Sequence, residues 1–302
     1  MKQIFSDFSK LIKFRLTFLV VFSASISFLI GQKMQIGRGN IQSIDWGNWV
    51  ILIIGGFLVT ASANCFNEII EKDLDKLMSR TKDRPMPAGR MTTGQGLVLG
   101  LLMAFLGTWL LGKLNLETGL LSVFSILLYA FLYTPLKAKS PIAVFAGAIP
   151  GALPTLIGYL AAFGSLRGDM FLDIDYKIAI ILFSIQFVWQ FPHFWAIAWV
   201  LDDDYKKAGF RLLPTKNRDV TSAAFTFIFT LILIPVSLLP TFYHFGGYYI
   251  AGVSIVAGLA FSYLAFTMLR TLELKAARRV MFCSFIYLPV VQLVLLFDFI
   301  AK

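Results

Sequence analysis

The run WGNWVILIIGGFLVTASANCFNEIIEKDLD, residues 46–75, sets the class of fold. From Trp46 to Asn67 it is apolar without a charge, long enough as a helix to cross the roughly 30 Å of hydrocarbon in a bilayer. The run is continuous, not alternating, which favours a spanning helix over a barrel strand. It then turns polar at one end, with Asn64, Asn67, Glu71 and Asp75 spaced at helical intervals.

Working outward, eight further segments read the same way. The nine lie near 11–31, 46–67, 95–113, 117–134, 141–163, 178–200, 221–241, 247–269 and 280–300. Over its 302 residues the chain is 58% hydrophobic and 15% charged, where a soluble domain carries about 25% charged residues. Its mean hydropathy is +0.76. The expectation is an all-α integral membrane protein of about nine transmembrane helices in a ring or bundle, with residues 1–302 forming one domain.

The net charge of +10 would raise nucleic acid as a partner for a soluble protein. Here it follows from Lys and Arg gathering in cytoplasmic loops. With the N-terminus in the cytoplasm, 21 of the 27 Lys and Arg fall on that side and 6 on the other, namely Lys33, Arg38, Lys113, Arg167, Lys177 and Lys302. The basic start, MKQIFSDFSKLIKFR, leads into a first helix with no A-x-A cleavage site. Cys65 and Cys283 offer neither a disulfide framework nor metal spacing and read as small buried hydrophobes.

Two polar loops hold the candidate chemistry, one after the second span and one after the sixth. In the first, Asn67, Glu71 and Asp75 stand at i, i+4 and i+8 and share one helix face, with Asn64 a turn earlier. Oxygen ligands with room left for water and phosphate suit Mg²⁺. The plainer alternative is a solvated helix end, but polar groups below the headgroups are costly and tend to be functional. Glu68 and Asp73 point elsewhere on the wheel. Next come Arg80, Lys82, Arg84 and Arg90 in a proline- and glycine-containing loop; such cations bind phosphate oxygens.

In the second, Gln186, Gln190 and His193 form one polar face among Phe187, Trp189, Phe191, Phe194 and Trp195. His193 reads as a packed hydrogen-bonder, a heme ligand or a proton carrier. Asp202, Asp203 and Asp204 follow, with Tyr205, Lys206 and Lys207. They are solvated loop charges or a second carboxylate group facing the first, able to hold a second Mg²⁺ on one diphosphate. His244 reads as interfacial.

These residues carry a resemblance. The Asn67…Glu71…Asp75 spacing, the run Arg80-Thr81-Lys82-Asp83-Arg84-Pro85, the segment Tyr133-Thr134-Pro135-Leu136-Lys137 and the glycine–proline helix at 147–154 resemble the UbiA-type intramembrane prenyltransferases. Trp189-Gln190-Phe191-Pro192-His193-Phe194, followed by Asp204-Tyr205 and Ala208-Gly209, resembles the heme-farnesylating branch of that family. Two departures stand out. Glu71 replaces the more usual aspartate, and no D-x-x-x-D second motif exists, since Val200 and Ala208 flank Asp204.

The resemblance implies transfer of a farnesyl group from farnesyl diphosphate to a vinyl group of heme b, with water addition, giving heme O and diphosphate. It implies Mg²⁺ on Asn67, Glu71, Asp75 and Asp204, with Arg80, Arg84 and His193 as further catalytic groups. Substrate contacts would come from Asn64, Lys82, Tyr133, Lys137, Trp189, Gln190, Phe194, Asp203, Tyr205 and Lys207. Heme b is substrate here, not a resident cofactor. The absence of an Arg/Ser-rich transit-type leader favours a bacterial plasma membrane over a mitochondrion, and the Lys/Arg asymmetry puts the diphosphate site on the cytoplasmic side. The partners are membrane lipid and a downstream heme-modifying enzyme or oxidase assembly factors, with no nucleic acid. The rival readings are the same chemistry on an aromatic acceptor, a nine-helix transporter, or a heme-binding assembly protein.

Overall fold

A computed structural model describes residues 2–163 and 176–301; Arg167 and Lys302, counted in the charge asymmetry, lie outside them. Among the described residues nine helical stretches are long and apolar enough to cross a membrane. They are α2 (Phe14–Gly37), α3 (Trp46–Asp75), α4 (Thr93–Leu114), α5 (Leu116–Leu127) with its continuation to Leu136, α7 (Ala143–Ala161), α8 (Tyr176–Val200), α10 (Val220–Phe242), α11 (Tyr248–Thr271) and α12 (Leu274–Phe297). The continuation of α5 is a π turn, Leu128–Tyr133, and the short α6, Thr134–Leu136.

Local chemistry starts several of these helices. The Asp45 carboxylate accepts from the Asn48 N–H, and Asn115 and Asp219 do the same for Thr118 and Ser222. Thr92 and Gln95 form a reciprocal capping box at the head of α4. Each satisfies backbone donors that a helix start leaves open.

The helices close into a ring: α2 packs on α3 and α7, α7 on α8, α8 on α10 and α12, and α12 returns to α2. The helices α2, α7 and α8 are mostly enclosed, whereas α4, α5, α10 and α11 leave most of their residues incompletely buried on the outside of the bundle. Small residues permit close crossings, as membrane helices require without a hydrophobic drive between them. A Cβ at Gly158 of α7 would collide with the Ala24 carbonyl of α2, and one at Gly107 of α4 would meet the Val59 nitrogen of α3 at 2.8 Å.

The first span differs from expectation. Hydropathy starts it near residue 11, but the chain breaks at Lys13, whose φ of 48° is left-handed. A separate amphipathic helix, α1 (Lys2–Leu11), precedes it. Its Ile4, Phe5 and Phe8 are exposed, while Leu11 is buried, the pattern of a helix lying in the membrane interface. The break leaves the Ile12 carbonyl without a helical partner. Thr17 Oγ1 at 2.6 Å and Asn64 Nδ2 at 3.2 Å donate to it.

Candidate active site

The end of α3 carries the acidic face. Because α3 stays helical to Asp75, Asn67, Glu71 and Asp75 do fall in line, and all three are buried. Each faces a cation from a different element. Lys13 Nζ donates to Asn67 Oδ1 at 2.5 Å, Lys137 Nζ pairs with Glu71 Oε1 at 2.5 Å, and Arg84 Nη1 pairs with Asp75 Oδ2 at 2.6 Å. Buried charges need such partners. Three acid or amide groups and three cations therefore meet at one end of the ring.

The π turn supplies the opposite wall. Pro135 has no N–H to give and its ring crowds the preceding turn. Beside it the helix widens, the Thr134 N–H bonds the Tyr129 carbonyl, and Thr134 Oγ1 donates to that same carbonyl at 2.8 Å. π turns of this kind are common at functional sites. Here the turn directs Tyr129 and Tyr133 at the cavity and presents Thr134 Oγ1 to Asn67 Nδ2 at 3.0 Å.

Glu71 and Asp75 line a cavity of about 200 Å³ together with Lys13, Arg80, Arg84, Tyr129, Tyr133, Lys137, Phe194 and Tyr205, whereas Asn67 is not among the lining residues, its Oδ1 accepting from Lys13 and its Nδ2 donating to Thr134. Asn64 sits just above, within 3.5 Å of the Tyr129 hydroxyl. Lys13 and Tyr129 were not singled out from sequence. Lys13 looked like one of several basic residues before the first span, and nothing in the linear order shows that a chain break carries its amine to Asn67. Tyr129, four residues before Tyr133, was the more legible of the two.

Other expected residues serve elsewhere. Asp204 does not line the cavity. Its Oδ1 accepts from the Ser79 N–H at 2.8 Å and from Lys207 Nζ at 3.0 Å, and its Oδ2 from the Arg80 N–H at 3.1 Å. Desolvation acts against this carboxylate, but those donors outweigh it and hold its pKa down to about 2. Asp204 thus anchors the loop that aims Arg80. Lys207 also reaches Ser79 Oγ at 3.0 Å. Asp203 is exposed and faces Arg218, and Asp202 pairs with Lys206. Lys82 is exposed and not part of the cavity lining. Arg90 is held by Asp7 of α1 and by Asp83, and Lys10 pairs with Asp83 at 2.5 Å. Glu68 is fully buried and accepts from the Met86 N–H at 3.2 Å, so it braces the proline loop. Asp73 turns outward to Lys76.

The polar face of α8 divides. Gln186 and Gln190 donate to the Gly151 and Ala148 carbonyls of α7, and Gln190 fits only because residue 151 lacks a Cβ. His193 turns the other way. Its Nδ1 lies 2.8 Å from Ser284 Oγ of α12, and its ring stacks on Trp189 and meets Phe285 edge-on. Trp189 Nε1 donates to the Ser284 carbonyl. Of this segment only Phe194 and Ile197 reach the cavity wall.

A metal ion fits one part of this arrangement. Asp75 Oδ1 is buried with no hydrogen-bond partner, in a cavity that Glu71 also lines. Oxygen donors of this kind suit Mg²⁺, which fills its remaining positions with water or phosphate. No group of three His, Cys, Asp or Glu side chains with ligand geometry occurs among the described residues. An all-protein cage is therefore not what the residues build, and Asp204 in particular does not join Glu71 and Asp75.

A model of the UbiA prenyltransferase family matches residues 24–286. The protoheme IX farnesyltransferase of Cytophaga hutchinsonii is 42% identical over 97% of this chain and 98% of its own. Among solved structures, that of digeranylgeranylglyceryl phosphate synthase superposes with a TM-score of 0.74 at 19% identity, over 99% of both chains. A UbiA homolog from Archaeoglobus fulgidus bound to GPP and Mg²⁺ superposes with a TM-score of 0.55 at 13% identity, over 96% of this chain and 99% of the other.

Proposed function

Because this chain belongs to the UbiA prenyltransferase family, we propose that the cavity at the end of α3 binds the diphosphate of a prenyl donor. The reaction is transfer of a farnesyl group from farnesyl diphosphate to a vinyl group of heme b, with addition of water, to give heme O and diphosphate. The observation that carries the site assignment is the convergence of Arg84, Lys137 and Lys13 on buried Asp75, Glu71 and Asn67. Cations paired with metal-type oxygens are what a departing diphosphate needs.

Each side chain then has a task. Glu71 and Asp75, with Asn67 behind them, would hold Mg²⁺, which when bound would supply Lewis-acid stabilisation of the leaving diphosphate. The Archaeoglobus protein of the same fold binds GPP and Mg²⁺, which supports this. Arg84, Lys137, Lys13 and Arg80 neutralise the diphosphate oxygens, and Arg84 and Lys137, in turning to them, leave Asp75 and Glu71 to the metal. As the carbon–oxygen bond breaks, the positive charge moves onto the allylic carbons. The faces of Tyr129, Tyr133 and Phe194 shield and attract it. The vinyl carbon of heme attacks C1, and water captures the cation left on the porphyrin substituent, giving up one proton to leave the hydroxyl group. His193 braces the wall that presents Phe194, and Gln190 and Trp189 fasten α8 to α7 and α12.

The positive-inside asymmetry supports a cytoplasmic location for this end of the ring, and the bacterial relatives support a plasma-membrane location. The product, still membrane-soluble, passes to a downstream heme-modifying enzyme or oxidase assembly factors.

The test is turnover by purified protein in nanodiscs with heme b, farnesyl diphosphate and Mg²⁺, read by mass spectrometry. A heme product heavier by farnesyl plus water, lost on adding EDTA, is expected. Product with a phenolic acceptor and none with heme would overturn the choice of acceptor. Full activity in EDTA would overturn the metal assignment.

A further inference from the structure

The short α1 divides its circumference three ways. Successive helical residues turn by about 100°, so Ile4, Phe5 and Phe8 share one arc, Asp7 and Leu11 the next, and Ser6, Ser9 and Lys10 the last. The second arc is buried against the protein. There Leu11 joins Met86 of the proline loop and Met103 of α4 in one apolar cluster, and Asp7 holds Arg90. The third is polar and carries Lys10 to Asp83. The first is apolar and uncovered, with Ile4 75% and Phe5 77% exposed.

The place of α1 in the chain says what covers that arc. Only Ile12 and Lys13 separate it from α2, the first span. The apolar surface runs on into Phe14, Leu16, Phe18 and Leu19, which α2 also leaves exposed and which meet acyl chains. So α1 lies along the same lipid at the level of the headgroups, with its apolar arc toward the acyl chains and its serines toward water. The joint between the two helices is also where the site gains an amine. Lys13 stands at φ 48° and ψ 56°, a left-handed conformation that residues other than glycine avoid, so it is kept only while both helices hold their directions. From that joint Lys13 Nζ reaches Asn67 Oδ1. Arg84 in turn lies between two loop residues that α1 touches, Asp83 and Met86.

We propose that α1 docks on the lipid–water interface of the bilayer, and that this docking holds Lys13 and the Arg84 loop in the donor-binding arrangement, a coupling that rests on the cavity being the donor site. The bilayer surface is the partner of Ile4, Phe5 and Phe8, and donor affinity is linked to it. Polar residues on this arc release α1 from the interface, relax the left-handed joint and loosen two of the cations that meet the diphosphate.

Two measurements test this in nanodiscs of phosphatidylcholine and phosphatidylglycerol that hold one copy of the protein each. In a background with Cys65 and Cys283 replaced by alanine, an NBD fluorophore on Phe5→Cys should be quenched by doxyl-labelled phosphatidylcholine, and one on Ser9→Cys should not. In steady-state kinetics, Phe5→Ser combined with Phe8→Ser should raise KM for farnesyl diphosphate at least about fivefold, the lower range of coupling between sites. KM for heme b should stay unchanged, and Phe5→Leu combined with Phe8→Leu should keep the wild-type donor KM. A label at residue 5 that stays in water would overturn the docking. One that leaves water only when two copies share a nanodisc would also overturn it, by making a second copy of this chain the partner. An unchanged donor KM in the serine variant, or both KM values rising together, would overturn the coupling. Absence of turnover by wild type would overturn the donor reading and the coupling with it, while the quenching still decides the docking.

Discussion

At the scale of single residues the site is a set of reciprocal pairs, and their chemistry predicts unequal responses to change. Arg84 lies 2.6 Å from Asp75 and lines the cavity. Arg84→Ala removes a leaving-group cation and should lower kcat by about 10²-fold, the usual cost of one preorganised charge-stabilising group. Arg84→Lys should recover only part, because an ammonium lacks the planar fork. His193 predicts a different signature. Its ring is spent on Ser284, Trp189 and Phe285. His193→Ala should cost about 1–3 kcal/mol of stability for the lost buried hydrogen bond and leave the Soret band of bound heme in place. A shifted band would make it an iron ligand instead.

Asp204 gives a pH prediction whose sign follows from its depressed pKa. Its folded value of about 2 lies below the ordinary aspartate value of about 3.9. The stabilisation of the Ser79–Arg80 loop is therefore fully present above about pH 4 and is lost as pH falls toward 2. Limited proteolysis across residues 76–91 should be slow at pH 5 and fast near pH 2.5. Asp204→Asn should cleave quickly at both. Fast cleavage of wild type already at pH 6 would place the anchor elsewhere.

At the scale of elements, α1 is the unexpected piece. It lies against the proline loop through Asp7–Arg90, with Arg90 Nη2 to Asp7 Oδ1 at 2.9 Å, and through Lys10–Asp83. Both carboxylates are held below the usual range, Asp7 first by its hydrogen bond from Arg90 and Asp83 first by that from Lys10. The loop they steady is the one that presents Arg84. Asp7→Ala should therefore raise KM for the diphosphate donor severalfold while the protein still inserts and binds heme, a split measurable by steady-state kinetics with each substrate varied in turn. The individual pairs are partly exposed and weak, so the effect belongs to positioning more than to stability.

At the scale of the whole molecule, nine spans among the described residues, each crossing once, predict chain ends on opposite sides of the membrane. With the basic loops in the cytoplasm, a C-terminal alkaline phosphatase fusion should be active and a C-terminal fluorescent protein dark in a bacterial host. The reverse result would invert the assignment of the diphosphate site to the cytoplasm. The ring itself depends on close helix crossings. Gly158→Val drives a side chain into the Ala24 backbone and should abolish accumulation of folded protein, seen as loss of the monodisperse peak in detergent.

Much of this was legible in the linear chain. Hydropathy gives nine spans that each overlap one of the nine long apolar helices among the described residues, with ends off by up to eight residues where a helix runs on past the apolar run, as α3 does to Asp75, because lipid forces each span to satisfy its own backbone. Helical spacing alone puts Asn67, Glu71 and Asp75 on one face, since that is a property of a single helix. What only the tertiary structure decided are the pairings between elements remote in sequence. These are the break that brings Lys13 to Asn67, Asp204 turned to hold the Ser79–Arg80 backbone, and His193 facing α12 while Gln190 faces α7. Helical periodicity says which residues share a stripe, but not which neighbour the stripe meets. That choice is made by packing, through glycines that admit one helix and exclude another, and by the need of every buried charge for a partner.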